Sequence, residues 1–115
     1  MIKVFVSQPM KGLSDEDILF KRAELLAIAR RNVRAGALMN IDRINPRDEV
    51  VPVDSFFKDA PDEDVINKPV SYLGDSIKKL SEADAAIFAE NWESARGCKI
   101  EHEICTAYNI PIIKL

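Results

Sequence analysis

Short apolar runs separated by longer segments of helical periodicity are the feature that most restricts the fold of this chain. The runs lie at residues 2–6, 85–89 and 110–113. Between them, residues 14–34 and 70–83 repeat apolar side chains at helical spacing, as one face of a helix requires. Short strands that alternate with helices are typical of an α/β domain in which helices cover both faces of a mainly parallel sheet. We expect four to five strands in this sheet.

The first helix has signals at both ends. Ser14 and Asp17 have the spacing of a capping box, and arginines occupy the last turn before Gly36, where they complement the helix dipole. After this helix, residues 38–45 predict a second strand. Residues 47–69 contain three prolines and a cluster of acids. They predict a long loop, and because loops of this length are uncommon in compact domains we expect it to cover a substrate.

Length and charge limit the possible functions. A chain of 115 residues forms a single domain, residues 1–115, with one modest core and little surface from which to enclose a deep site. A second subunit is therefore expected, as in a homo-oligomer. The 16 lysines and arginines against 19 acids leave no basic surface for a nucleic acid polymer. No apolar run reaches the roughly 18 residues of a membrane span, so we expect no membrane contact and a cytoplasmic location.

The two cysteines have a structural and a chemical interpretation. Cys98 and Cys105 would lie about 10 Å apart along a helix, too far for a disulfide. Together with His102 they share one helix face, which could present three ligands to zinc. Cys98 and His102 could also form a nucleophile and its base. A fourth ligand or a third catalytic group is not evident, so the sequence favours packing in the core and no metal.

Two polar loops follow predicted strands, at residues 7–12 and 90–96. The carboxyl ends of parallel strands meet at one edge of the sheet, where ligands bind in open α/β folds. The start of the last helix at Gly97 favours an anionic group there. The candidate binding residues for a small molecule are Ser7, Gln8, Pro9, Met10, Lys11, Trp92, Arg96 and Gly97. Arg22 could pair with an acid near this site, although a solvated helix face is favoured.

Glu101 lies one turn into the last helix, where its side chain can face the strand ends. Its spacing alone favours a simpler role, in which a first-turn acid complements the helix dipole.

The chain resembles the nucleoside 2-deoxyribosyltransferase superfamily, and most closely a small bacterial and phage branch that is deoxyribosyltransferase-like. The resemblance is carried by FVSQPMKG (5–12), YLGDSI (72–77), the Ala83-Asp84 pair and WESARGCKIEHE (92–103). It implies a flavodoxin-like or Rossmann-like three-layer sandwich. It also implies cleavage or transfer of the N-glycosidic bond of a (deoxy)nucleoside or nucleotide, with Glu101 as the nucleophile and no cofactor.

Two positions depart from the family pattern. The family's aspartate, which assists the leaving base, falls on Ser76, and Asp75 is its neighbour, so either residue is a candidate for that catalytic role. Arg96 stands where the hydrolase branch holds a 5′-phosphate with serine and glycines, and with Lys11 it could bind that phosphate instead. The alternative function is a non-catalytic module that binds or senses a nucleotide derivative.

Overall fold

The computed structural model describes residues 1–53 and 64–115 and shows an α/β fold. A four-stranded sheet has the order β2-β1-β3-β4 with every pairing parallel, and three α-helices connect its strands. In chain order the elements are β1 Ile2–Ser7, α1 Asp15–Arg34, β2 Val50–Val53, α2 Lys68–Leu80, β3 Ala85–Phe88, α3 Arg96–Ala107 and β4 Ile112–Ile113. A single 3₁₀ turn, Trp92–Ser94, precedes α3. The predicted fold class is confirmed.

Alternating side chains of the strands build a separate core on each face of the sheet. Val4 and Val6 of β1 pack in one cluster with Leu25 of α1. Phe5, which points the other way, packs with residues of α2 and α3, Leu80 and Cys105. Helices therefore cover both faces, which makes the domain a three-layer sandwich of the flavodoxin-like or Rossmann-like type.

The predicted boundaries of α1 and α3 agree closely with the observed ones, whereas α2 begins two residues before the predicted segment 70–83 and ends three residues before its end. The Ser14 hydroxyl accepts a hydrogen bond from the Asp17 N–H at 3.1 Å and caps α1. Gly36 follows the end of α1 with φ at +101°, a left-handed conformation that favours glycine. Helix α3 begins at Arg96, one residue before the predicted start, and Asn109 takes φ of +58° after its end.

The prediction of the second strand was wrong. Residues 38–45 form turns that bury Leu38 and Ile44 against the core, and β2 lies at Val50–Val53, inside the segment predicted as a long loop. Pro52 obscured this strand because proline lacks the N–H that a central strand needs. It is tolerated because β2 is an edge strand. Residues 54–63 of the predicted substrate-covering loop lie outside the described residues.

Asp84 links β1 to the turns that follow α1 at the amino edge of the sheet. It accepts a hydrogen bond from the Lys3 N–H at 2.8 Å and pairs with Arg43 from the turns that follow α1. Burial by itself raises the pKa of Asp84, but the bonds from Lys3 and Arg43 outweigh it and hold the pKa below 3.8.

Candidate functional site

The carboxyl ends of β1 and β3 lie side by side, as predicted. Ser7 is in register with Phe88, and the Ala89 N–H donates to the Ser7 carbonyl at 2.9 Å. The loop that follows β1 and the loop that follows β3 therefore leave from the same edge of the sheet. Helix α3 begins directly after the second loop.

Glu101 is buried at this edge rather than exposed as a helix-dipole acid. Its side chain is 6% exposed and lies on the same face of α3 as the buried Cys98 and Cys105. Side chains alternate along β1, so Ser7 points to the same face of the sheet as Phe5, the face that α3 covers. Its hydroxyl donates a hydrogen bond to Glu101 Oε1 at 2.8 Å. The contact joins the end of β1 to the second turn of α3 and holds a carboxylate at the strand ends.

A small cleft surrounds this pair. Its cavity measures about 30 Å³, and it is lined by Phe5, Val6, Ser7, Gln8, Met10, Ile18, Arg22, Ser76 and Glu101. Arg22 of α1 is only 8% exposed, which overturns the expectation of a solvated helix face. Since Ile18 lies one turn before it and Leu26 one turn after it, Arg22 interrupts the buried stripe of α1 with a cation. That interruption is the sequence signal that marks it as a site residue.

The structure separates the two candidates for assisting the leaving base. Ser76 is buried and lines the cleft, whereas Asp75 is exposed and does not. Glu101 is the only carboxylic acid among the described residues that line the cleft.

The candidate phosphate contacts lie outside the cleft. Lys11 and Arg96 are exposed, and neither lines the cavity beside Glu101. Arg96 opens α3, whose first turn has no side-chain cap, and it precedes Glu101 by about 7.5 Å along the helix axis. Gly97 is half-buried in the same turn, and Pro9 is half-buried in the loop after β1.

Trp92 packs against the core cluster of Phe5, Leu80 and Cys105 and does not line the cleft beside Glu101. Its ring stacks on His102 with centroids 3.9 Å apart, and Phe88 meets both rings edge-on. Trp92 and His102 line a second cavity of about 250 Å³, which neither Ser7 nor Glu101 borders. Trp92 is therefore not brought together with the residues around Glu101.

The cysteines behave as core residues. Burial, together with the nearby Glu101 carboxylate, raises the pKa of Cys98 despite a hydrogen bond with Ser7, and burial raises the pKa of Cys105 to about 11. Both are therefore protonated thiols at neutral pH and poor nucleophiles. His102 turns to Trp92, and the described residues contain no cluster of three side chains suited to a metal ion.

Comparison of the chain with protein-family models, curated proteins and solved structures finds no match. None of the helices in the described parts of the chain is long and apolar enough to cross a lipid bilayer.

Proposed function

We propose that this protein cleaves or transfers the N-glycosidic bond of a (deoxy)nucleoside or nucleotide, with Glu101 as the nucleophile. The observation that carries the proposal is the buried Glu101 carboxylate, held by the Ser7 hydroxyl at 2.8 Å at the carboxyl edge of the sheet. Ligands of open α/β sheets bind at this edge. A carboxylate that is buried and oriented there suits attack on an anomeric carbon.

The reaction would proceed in two displacements. A Glu101 carboxylate oxygen forms a bond to C1′, the C1′–N bond breaks, and the departing base takes the bonding electrons and a proton. Water or a second base then attacks C1′ and releases the glutamate, which gives hydrolysis or transfer. Ser76 can hydrogen-bond the departing base, and the proton that the base takes up comes from the solvent, directly or relayed through the Ser76 hydroxyl, which both donates and accepts.

Arg22 supplies positive charge to the same cleft. A carboxylate buried to the extent of Glu101 needs a compensating cation or donor to remain charged. The Ser7 hydroxyl provides a donor, and Arg22 lines the same cavity. Together they favour the ionised nucleophile that the first displacement requires.

For a nucleotide substrate, the 5′-phosphate would bind at the first turn of α3. Backbone N–H groups at a helix N-terminus favour an anion, and Arg96 lies in that turn. Lys11, exposed in the loop after β1, is the second candidate contact for this phosphate.

We also propose that the active form is a homo-oligomer. A cavity of about 30 Å³ is far smaller than the 300 Å³ or more of typical ligand pockets, so most of a nucleoside would lie outside it. Exposed apolar side chains belong to the elements that line the cleft: Met10, a lining residue, is 43% exposed, Leu13 in the same loop is 46% exposed, and Tyr72 lies one turn before Ser76 on α2. A second copy of the chain would cover both the ligand and these side chains.

The alternative is a module that binds or senses a nucleotide derivative without turnover. It is favoured by one observation, the lack of a second carboxylic acid among the described cleft residues. Such a module predicts stabilisation by nucleotides without release of the base.

The proposed function is tested by incubating the protein with the four common 2′-deoxynucleosides and their 5′-monophosphates, with and without a second free base. Chromatography of released and exchanged bases should show turnover. Glu101→Gln should reduce that turnover by about 10³-fold or more, since it removes the nucleophile. Glu103→Gln, on the exposed face of the same helix, is the matched control and should retain it. Full turnover by Glu101→Gln would show that Glu101 is not the nucleophile.

A further inference from the structure

Gln8 is buried at the cleft with its amide group held in one orientation. The side chain lines the cavity and is 7% exposed. Its Nε2 donates to the carbonyl of Ile18 in the first turn of α1 at 3.1 Å. Rotating the amide by half a turn would place Oε1 against that carbonyl, an acceptor facing an acceptor, so Oε1 stays on the other side.

The Oε1 atom of Gln8 is a buried acceptor that no donor in the described parts of the chain reaches. A buried polar atom left without its hydrogen bond costs about 1–3 kcal/mol. Such an atom in a folded protein calls for an explanation, and a binding partner is one of the few available. Gln8 lines the cleft that contains Glu101, so a group bound in that cleft is a candidate for the missing donor.

We propose that Gln8 Oε1 accepts a hydrogen bond from a sugar hydroxyl of the substrate and thereby selects the sugar; this proposal rests on the function proposed above. The group that enters must donate, which excludes a phosphate oxygen or a carboxylate. It must also be small, because the cavity measures only about 30 Å³. A hydroxyl on a ribose-type ring meets both conditions.

Selectivity follows from the same geometry. A site built to hydrogen-bond a substrate hydroxyl discriminates strongly against an analogue that lacks it, because the buried acceptor is then left unpaired. Gln8 would therefore act as a specificity residue that reads the sugar, while Glu101 acts on its anomeric carbon.

The test measures binding rather than turnover, in the Glu101→Gln background so that the ligand is not consumed. Calorimetry compares 2′-deoxyadenosine and thymidine with their analogues that lack the 3′- or the 5′-hydroxyl. With Gln8 present, removal of one of these hydroxyls should weaken binding about 10-fold or more. In Gln8→Met, a substitution of similar size, the same removal should change binding by less than about 2-fold.

A second measurement guards against misfolding of Gln8→Met. The Gln8 side-chain amide signal in ¹⁵N-labelled protein with the native Gln8 should shift when the full nucleoside is added, and should not shift with the analogue lacking the selected hydroxyl. Equal hydroxyl preference in both backgrounds, or an amide signal that no nucleoside moves, would overturn the proposal and leave water as the partner of Oε1. If binding depends on the hydroxyl only when Gln8 is present, but the protein with native Glu101 releases no base, this inference would stand and the proposed reaction would be rejected. If the protein releases the base but binding shows no hydroxyl preference that depends on Gln8, the proposed reaction would stand and this inference would be rejected.

Discussion

Ser7 occupies the last position of β1 on the face that α3 covers, and this position explains how Glu101 is held. A residue one place earlier or later would point to α1 instead, because side chains alternate along a strand. The hydrogen bond from Ser7 Oγ to Glu101 Oε1 orients the carboxylate at the end of β1. We therefore regard Ser7 as a positioning residue for Glu101, the proposed nucleophile.

Replacing Ser7 with alanine should lower both stability and rate. Hydrogen bonds to charged groups contribute about 1.5–3 kcal/mol, so the free energy of unfolding should fall by about that amount in urea titrations. If the carboxylate loses its orientation, kcat should fall about 10-fold while KM changes less. Ser71→Ala is the control. Ser71 is half-buried on helix α2, and its replacement should change the free energy of unfolding by under about 0.5 kcal/mol. A kcat equal to that of the control would contradict the positioning role.

The helical period could have predicted some site residues and not others. Ser76 lies three residues after Leu73 and four before Leu80, so it shares their face of α2, whereas Asp75 is rotated by about 100°. The same reasoning places Arg22 on the buried stripe of α1. The orphaned Oε1 of Gln8 could not be predicted, because it depends on the distance between a loop and the Ile18 carbonyl.

At the scale of elements, local signals predicted the helices well and the second strand poorly. The end of α1 is encoded by Gly36, whose φ of +101° is costly for other residues. Strand β2 depends instead on pairing with β1, in a register that places Ile2 beside Val50. These residues are distant in the sequence. No local pattern around Pro52 reports that pairing.

Gly36→Ala and Gly74→Ala should have opposite effects on stability. At Gly36 an alanine would have to adopt the left-handed conformation of this turn, and its Cβ would approach Met39 Sδ to 2.5 Å. We therefore expect the free energy of unfolding to fall by about 1–2 kcal/mol. At Gly74, in the middle of α2, the added Cβ meets no atom within 4 Å. Alanine there should stabilise the protein by about 0.5–1 kcal/mol. Urea unfolding measures both, and a Gly36→Ala protein as stable as the original would contradict the role of this turn.

The whole molecule presents the Glu101 site as an incomplete one. The described residues form two thin cores on either side of a four-stranded sheet, and the cleft at the carboxyl edge measures only about 30 Å³. The amino edge, in contrast, is closed by the Asp84 contacts with Lys3 and Arg43. Any additional wall for a nucleoside must come from beyond the described residues, and a second copy of the chain is the source we propose.

Leu13→Asp should therefore break an assembly that Met39→Asp leaves intact. Leu13 is 46% exposed beside the cleft-lining Met10, whereas Met39 is 70% exposed among the turns after α1, towards the amino edge. A charge at a buried contact between copies is strongly unfavourable, and one on open surface is not. Light scattering after size exclusion should show at least a dimer for the original protein and Met39→Asp, and a monomer for Leu13→Asp. Base release per chain should fall together with assembly, so a fully active monomer would show that each cleft works alone.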